Sequence, residues 1–181
     1  MMDVSIIVVN YNTLKVTEQC LDSIFRLTYG LSFEVILVDN ASTDGSKEVF
    51  SQDKRIKYIY SDRNLGFGKA NNLGFQTAAG EYIFLLNSDT ILLNNAVGHF
   101  YTAIRNLPHH VACIGTQLLS ADLKPNHSFG CFPTLRNTCA TIGRVYKNIL
   151  GFKPVDSAIG LSQTPFEVPY ITGADLFIKR S

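Results

Sequence analysis

A chain of 181 residues has room for one ordinary domain with its own core, without disulfides or a structural metal to staple it. Hydrophobic residues at 46% exclude a disordered chain, and a net charge of +1 argues against a strongly electrostatic nucleic-acid binder. The charge is segregated: residues 1–90 hold 8 basic and 11 acidic side chains and residues 91–181 hold 8 and 4, which assigns any metal- or hydroxyl-binding carboxylates to the first half.

Val4–Asn10 is a β-branched run short enough for a buried strand. Thr17–Leu27 follows as a helix, with Cys20, Leu21, Ile24 and Phe25 at helical spacing. Phe33–Asp39 is a second strand, and a polar loop then leads to a short helix at Ser46–Gln52. Ile56–Ser61 is a third strand. Gly68–Ala79 reads as a helix, although its glycines and asparagines weaken it. Tyr82–Asn87 is a fourth strand, Asn95–Leu107 a helix closed by Pro108, and Val111–Leu119 a fifth strand. Beyond it the pattern loosens. Asp122–Pro133 reads as a loop, Leu135–Leu150 as a helix carrying Arg136, Arg144 and Lys147, Gly151–Pro169 as a proline-rich loop and Tyr170–Arg180 as a small apolar element. The three cations would suit a membrane surface or an anionic lipid-linked acceptor, against the plainer reading of a solvated face.

Strands alternating with helices predict an α/β fold whose central sheet is mostly parallel and covered by helices on both faces. Such sheets hold ligands at the carboxyl ends of their strands. Polar residues collect there: Asn10-Tyr11-Asn12, Asp39-Asn40, Asn64-Leu65-Gly66 and Asn87-Ser88-Asp89. Seven of the 13 asparagines lie at or just beyond these ends, more than a general liking of asparagine for turns explains.

Several chemistries are excluded. Gly66 and Gly68 begin a dinucleotide spacing, but Asn71 stands where the third glycine belongs, and no P-loop, HExxH or G-x-S-x-G motif occurs. Cys20, Cys113, Cys131 and Cys139 form no Cys-x-x-Cys pair and read as reduced thiols. No apolar run approaches the roughly 20 residues of a membrane span, and Met1–Val9 has no basic leader, so the expected location is cytoplasmic. What remains suits a nucleotide with a diphosphate. Tyr11 can stack on a base, and Asp39 can accept a hydrogen bond from a ring N–H or a ribose hydroxyl. Gly66-Phe67-Gly68 allows close approach of phosphate at a helix start, and Asp89 can meet a divalent metal on the diphosphate.

Taken in order, Val8–Asn12, Val38–Ser46, Asn64–Asn72, Gly80–Asp89 and Thr172–Arg180 resemble the motifs of family 2 inverting glycosyltransferases of the GT-A fold, in the rhamnosyltransferase-like branch. The resemblance implies a GT-A-like nucleotide-diphospho-sugar transferase fold. Residues 1–119 would bind the donor, and residues 120–181 would begin an incomplete acceptor region. It implies a dTDP- or UDP-linked sugar as donor, rhamnose among the candidates, and a glycan or lipid-linked acceptor in cell-envelope polysaccharide synthesis. Nucleic acid is not an expected partner. Asn10, Tyr11, Asn12, Asp39, Asn40, Gly66, Asn71, Asn87, Ser88 and Asp89 would form the nucleotide-sugar site. Asn87-Ser88-Asp89 occupies the place of the family's Asp-x-Asp motif, so Asp89 would hold Mg²⁺ or Mn²⁺, with Asn87 replacing the first aspartate. The family's general base lies in an acidic segment that would follow Arg180. None of Asp156, Glu167 and Asp175 matches it, so this chain is expected to bind donor without turning over. Two other readings are a nucleotidyltransferase, which the lack of a basic glycine-rich loop after the first strand disfavours, and a non-catalytic nucleotide-sugar-binding module.

Overall fold

The computed structural model describes residues 2–130 and 165–180. The helix expected at Leu135–Leu150, most of the Gly151–Pro169 loop, Asp156, Cys131 and Cys139 lie outside the described residues. The chain forms two compact units, one of residues 1–115 with 173–181 and one of residues 116–172.

The first unit alternates as the sequence predicts: β1 (Val4–Asn10), α1 (Leu14–Leu27), β2 (Phe33–Asn40), α2 (Ser46–Phe50), β3 (Lys57–Ser61), α3 (Phe67–Thr77), β4 (Tyr82–Asn87), α4 (Ala96–Asn106) and β5 (Cys113–Ile114). In the second unit β6 (Phe129–Gly130) pairs antiparallel with β7 (Tyr170–Ile171). The chain then returns to the first unit as β8 (Asp175–Lys179). Among the described residues, six strands form one sheet in the order β3-β2-β1-β4-β8-β5. β1, β2, β3 and β4 are mutually parallel, and β8 runs antiparallel to both β4 and β5.

Both faces of the sheet are covered. Val4, Ile6, Val8, Val35, Leu37, Phe84 and Leu86 point to one side, where Cys20, Leu21 and Ile24 of α1, Phe50 of α2 and Val97, Phe100 and Ile104 of α4 pack on them. Ile7, Ile36, Val38 and Ile83 point to the other side, toward Ala70 of α3. That two-sided burial is why these strands read as unbroken apolar runs rather than alternating ones. α3 forms despite its glycines because one of them is required: a Cβ on Gly74 would lie 2.6 Å from Ile7 Cγ2. α4 starts at Asn95, whose Oδ1 accepts the Gly98 amide at 3.1 Å, a standard N-cap.

Two expectations need correction. The fifth strand, expected over Val111–Leu119, joins the sheet at Cys113–Ile114, where it pairs with β8; the chain passes into the second unit after Gly115, and Leu119 there makes an isolated bridge to Pro125. The stretch Asp122–Pro133, expected as a loop, contributes Phe129–Gly130 to a strand pair. Residues 173–181 belong to the unit that carries the six-stranded sheet. Phe177 is fully buried there, stacked on Phe100 at 5.3 Å and on Tyr82 at 5.6 Å.

Candidate functional site

From β1 the chain winds outward through β2 and β3, then crosses back to lay β4 on the other side of β1. The carboxyl ends of β1 and β4 therefore diverge at a topological switch point, where open α/β sheets bind ligands. The register brings the candidates to this edge: Asn10 lies opposite Asp39, and Val9 lies opposite Asn87.

At the end of β1, Asn10 is fully buried. Its Nδ2 donates to Ser42 Oγ at 3.0 Å, and its Oδ1 accepts from Thr13 Oγ1 and Thr17 Oγ1, both at 2.9 Å. Tyr11 is 48% exposed, a free ring beside the strand end. Asn12 has a φ of 56°, a left-handed conformation that asparagine tolerates better than most residues. Its amide donates to Ser42 Oγ at 3.0 Å, and its Oδ1 accepts the Thr43 amide at 2.7 Å.

At the end of β2, Asp39 is fully buried. Its Oδ1 accepts the Ser42 amide at 3.0 Å and its Oδ2 accepts the Tyr58 hydroxyl at 2.7 Å. Burial, then this bond to a carboxylate, push the Tyr58 hydroxyl well above its ordinary range. Asn40 donates to Asn64 Oδ1 at 2.9 Å and accepts the Leu65 amide at 2.8 Å. Asn64 Oδ1 also takes the Gly66 amide at 2.8 Å, so these two asparagines fix the turn that starts α3. Gly66 has a φ of 78°, which explains a glycine there. Asn71 is buried within α3 and donates back to the Phe67 carbonyl at 3.0 Å.

At the end of β4, the Asn87 amide donates to the Ala174 carbonyl at 3.0 Å, seating the start of β8 beside the turn. Asn87 Oδ1 is buried with no hydrogen-bond partner. Ser88 Oγ lies 3.3 Å from Thr13 Oγ1, and Asp89 is exposed. Burial first, and the Asp89 charge second, push the Cys20 thiol up to about 12, so this cysteine is inert. Of the other acids, Asp175 is buried in β8 opposite Leu86, and Glu167 is exposed in the second unit.

The structure thus links Asn10 and Asn12 through the Ser42 hydroxyl, Asn10 and Ser88 through the Thr13 hydroxyl, Asp39 to the same group through the Ser42 amide, and Asn40 with Gly66 through Asn64. Asn71 bonds inside its own helix. Sequence reasoning missed Thr13, Ser42 and Tyr58. Ser42 had a legible signal, since it stands three residues after Asp39, within reach of a side-chain-to-backbone turn. Among the described residues no three His, Cys, Asp or Glu side chains converge as a metal cage. An Asp89 carboxylate beside a diphosphate still fits a hard cation, which takes one or two carboxylates and completes its shell with phosphate oxygens and water.

Residues 5–166 match the family model described as glycosyl transferase family 2. Glycosyltransferase GlyG of Streptococcus pneumoniae serotype 4 is 35% identical over 106 residues, covering 56% of this chain and 35% of that protein. An uncharacterized glycosyltransferase of Nostoc sp. is 32% identical over 123 residues, covering 62% of this chain and 38% of that protein. The chain therefore spans little more than a third of these relatives. Among solved structures, S. aureus TarS 1-349 in complex with UDP-GlcNAc superposes with a TM-score of 0.54 at 26% identity, covering 65% of this chain and 34% of that one. Mannosyltransferase PcManGT from Pyrobaculum calidifontis, in complex with GDP-Man and Mn²⁺, gives 0.56 at 23% identity over 65% of this chain and 35% of that one, a likeness of fold. With the family model running over most of its length, the chain belongs to glycosyl transferase family 2.

Proposed function

We propose that this chain is the donor-binding part of a glycosyltransferase that uses a UDP- or dTDP-linked sugar. The observation that carries the reading is the register at the switch point, which gathers Asn10, Asp39 and Asn87–Asp89 at one edge of a GT-A-like sheet. TarS, whose complex contains UDP-GlcNAc, supports a uracil-type donor. Tyr11 offers its exposed ring to the base; Asp39, buried with Ser42 on one oxygen and Tyr58 on the other, would take a ring N–H or ribose hydroxyl on a remaining lone pair once the Tyr58 side gives way to the nucleoside. The glycines at the start of α3 leave room for the diphosphate, and Asp89 holds a divalent cation on it. That cation would offset the charge that builds on the leaving nucleoside diphosphate. A hydroxyl of a glycan or lipid-linked acceptor, giving its proton to a general base, would attack the anomeric carbon from the face opposite the diphosphate, break the bond to the leaving nucleoside diphosphate and invert the centre.

Titration calorimetry with UDP, dTDP and GDP, with and without Mn²⁺, tests the reading. UDP or dTDP binds, and Mn²⁺ strengthens it. Asp89→Asn removes that gain, a loss of about tenfold or more for one charge-assisted contact. A folded sample that binds none of the three nucleotides would sink the proposal.

A further inference from the structure

Resting on the donor-site reading above, we infer that Asn10 and Thr13 are positioning residues that couple the turn after β2, on the base side, to the turn after β4, on the diphosphate side. The Asn10 carbonyl oxygen can only accept, which sets the direction of its two links. Thr17 donates to Asn10 Oδ1 at 2.9 Å, and Thr13 donates to the same oxygen at 2.9 Å. The two threonine hydroxyls also lie 3.1 Å apart, so Asn10 Oδ1, Thr13 Oγ1 and Thr17 Oγ1 form one tight cluster. Thr13 Oγ1 pairs in turn with Ser88 Oγ, 3.3 Å away, and either hydroxyl can donate. On the other side, Asn10 Nδ2 donates to Ser42 Oγ at 3.0 Å, and the Ser42 amide donates to Asp39 Oδ1 at 3.0 Å. The path Asp39–Ser42–Asn10–Thr13–Ser88 therefore runs unbroken across the switch point. Its middle is shut from solvent, since Asn10 is fully buried, so these amide and hydroxyl groups bond each other rather than a ligand.

This arrangement has a consequence for affinity. A ligand that touches only one turn gains nothing from the link. A ligand that spans both turns gains because the link holds them at a fixed separation before it arrives. Thr13→Val keeps the shape of the side chain, leaves the Asn10–Ser42 and Asn10–Thr17 bonds in place, and removes the Thr13 hydroxyl's bonds to Asn10 and Ser88 together.

Titration of the wild-type chain and of Thr13→Val with UDP plus Mn²⁺, and with uridine, reads the coupling. Thr13→Val weakens UDP binding about fivefold, the worth of one ordinary hydrogen bond, and leaves uridine within twofold. On a Ser88→Ala background the same substitution has no further effect, because both changes cut one link. Equal losses for UDP and uridine, additive losses, or no loss for UDP would each overturn the coupling. A ligand-free arm separates this inference from the donor reading. Ser88→Ala speeds amide hydrogen exchange in residues 40–44, which it does not touch, and does nothing there once Thr13 is valine. Exchange that changes only around residue 88 refutes the coupling. If wild type binds none of UDP, dTDP and GDP, the donor reading falls while the exchange arm still decides.

Discussion

The Asp3 carboxylate accepts hydrogen bonds from the Ser32 amide and hydroxyl, both at 2.7 Å, and from the Tyr101 hydroxyl at 3.0 Å. These bonds, Ser32's hydroxyl foremost, hold its pKa below the usual carboxylate range. A folded-state pKa below the unfolded one adds stability that is complete above the unfolded value, about pH 4, and fades as pH falls through the folded value. Asp3→Asn should therefore be less stable than wild type by a constant amount above about pH 5, with the gap closing below about pH 4. Urea unfolding from pH 7 to pH 2.5 reads this; a gap that persists at the acid end contradicts it. Residue identity alone did not reveal such roles. Asn10 and Asp39 were legible as strand-end polar groups. Whether their side chains face a ligand or the interior depends on where Thr13, Ser42 and Tyr58 come to rest, which only the folded register decides.

At the level of elements, α3 contains two glycines with opposite duties. A Cβ on Gly68 meets nothing within 4 Å, whereas one on Gly74 would press on Ile7 Cγ2 at 2.6 Å and Val38 Cγ2 at 3.3 Å. Both targets are stiff β-branched side chains inside the sheet's core. Gly68→Ala should stabilise the protein by about 0.5–1 kcal/mol through helix propensity. Gly74→Ala should destabilise it by about 1–3 kcal/mol, the overpacking outweighing the same propensity gain. Chemical denaturation of the two variants side by side checks the signs. The sequence showed these residues as a weak helix because propensity counts both glycines alike. Strands buried on both faces were easier to read, since β1, β2 and β4 are continuous apolar runs. β5 was overread for the converse reason: an apolar run does not announce that two of its residues will join the main sheet while Leu119 bridges to Pro125 instead.

For the molecule as a whole, the decisive join is β8. It sits between β4 and β5 and delivers Phe177 into a ring cluster with Tyr82, Phe84 and Phe100. Phe177→Ala should cost about 3–5 kcal/mol, against a typical total of about 5–15 kcal/mol. A urea midpoint that barely moves would show that β8 is a peripheral strand. This join was the least legible part of the fold. Tyr170–Arg180 reads as an apolar element of unknown address, because a pairing with β4 is set by long-range packing and leaves no local periodicity.

The same join bears on how the protein is made. By the time Asn87 has been synthesised, all four parallel strands exist, but the edge of β4 that β8 will occupy is bare. It stays bare while the stretch from Ser88 to Ala174 is translated, on the order of ten seconds at ribosomal rates. An apolar edge left open that long is a template for pairing with other chains. The growing chain therefore passes through a window in which this edge is open to mispairing, and the window closes when β8 emerges and pairs with β4.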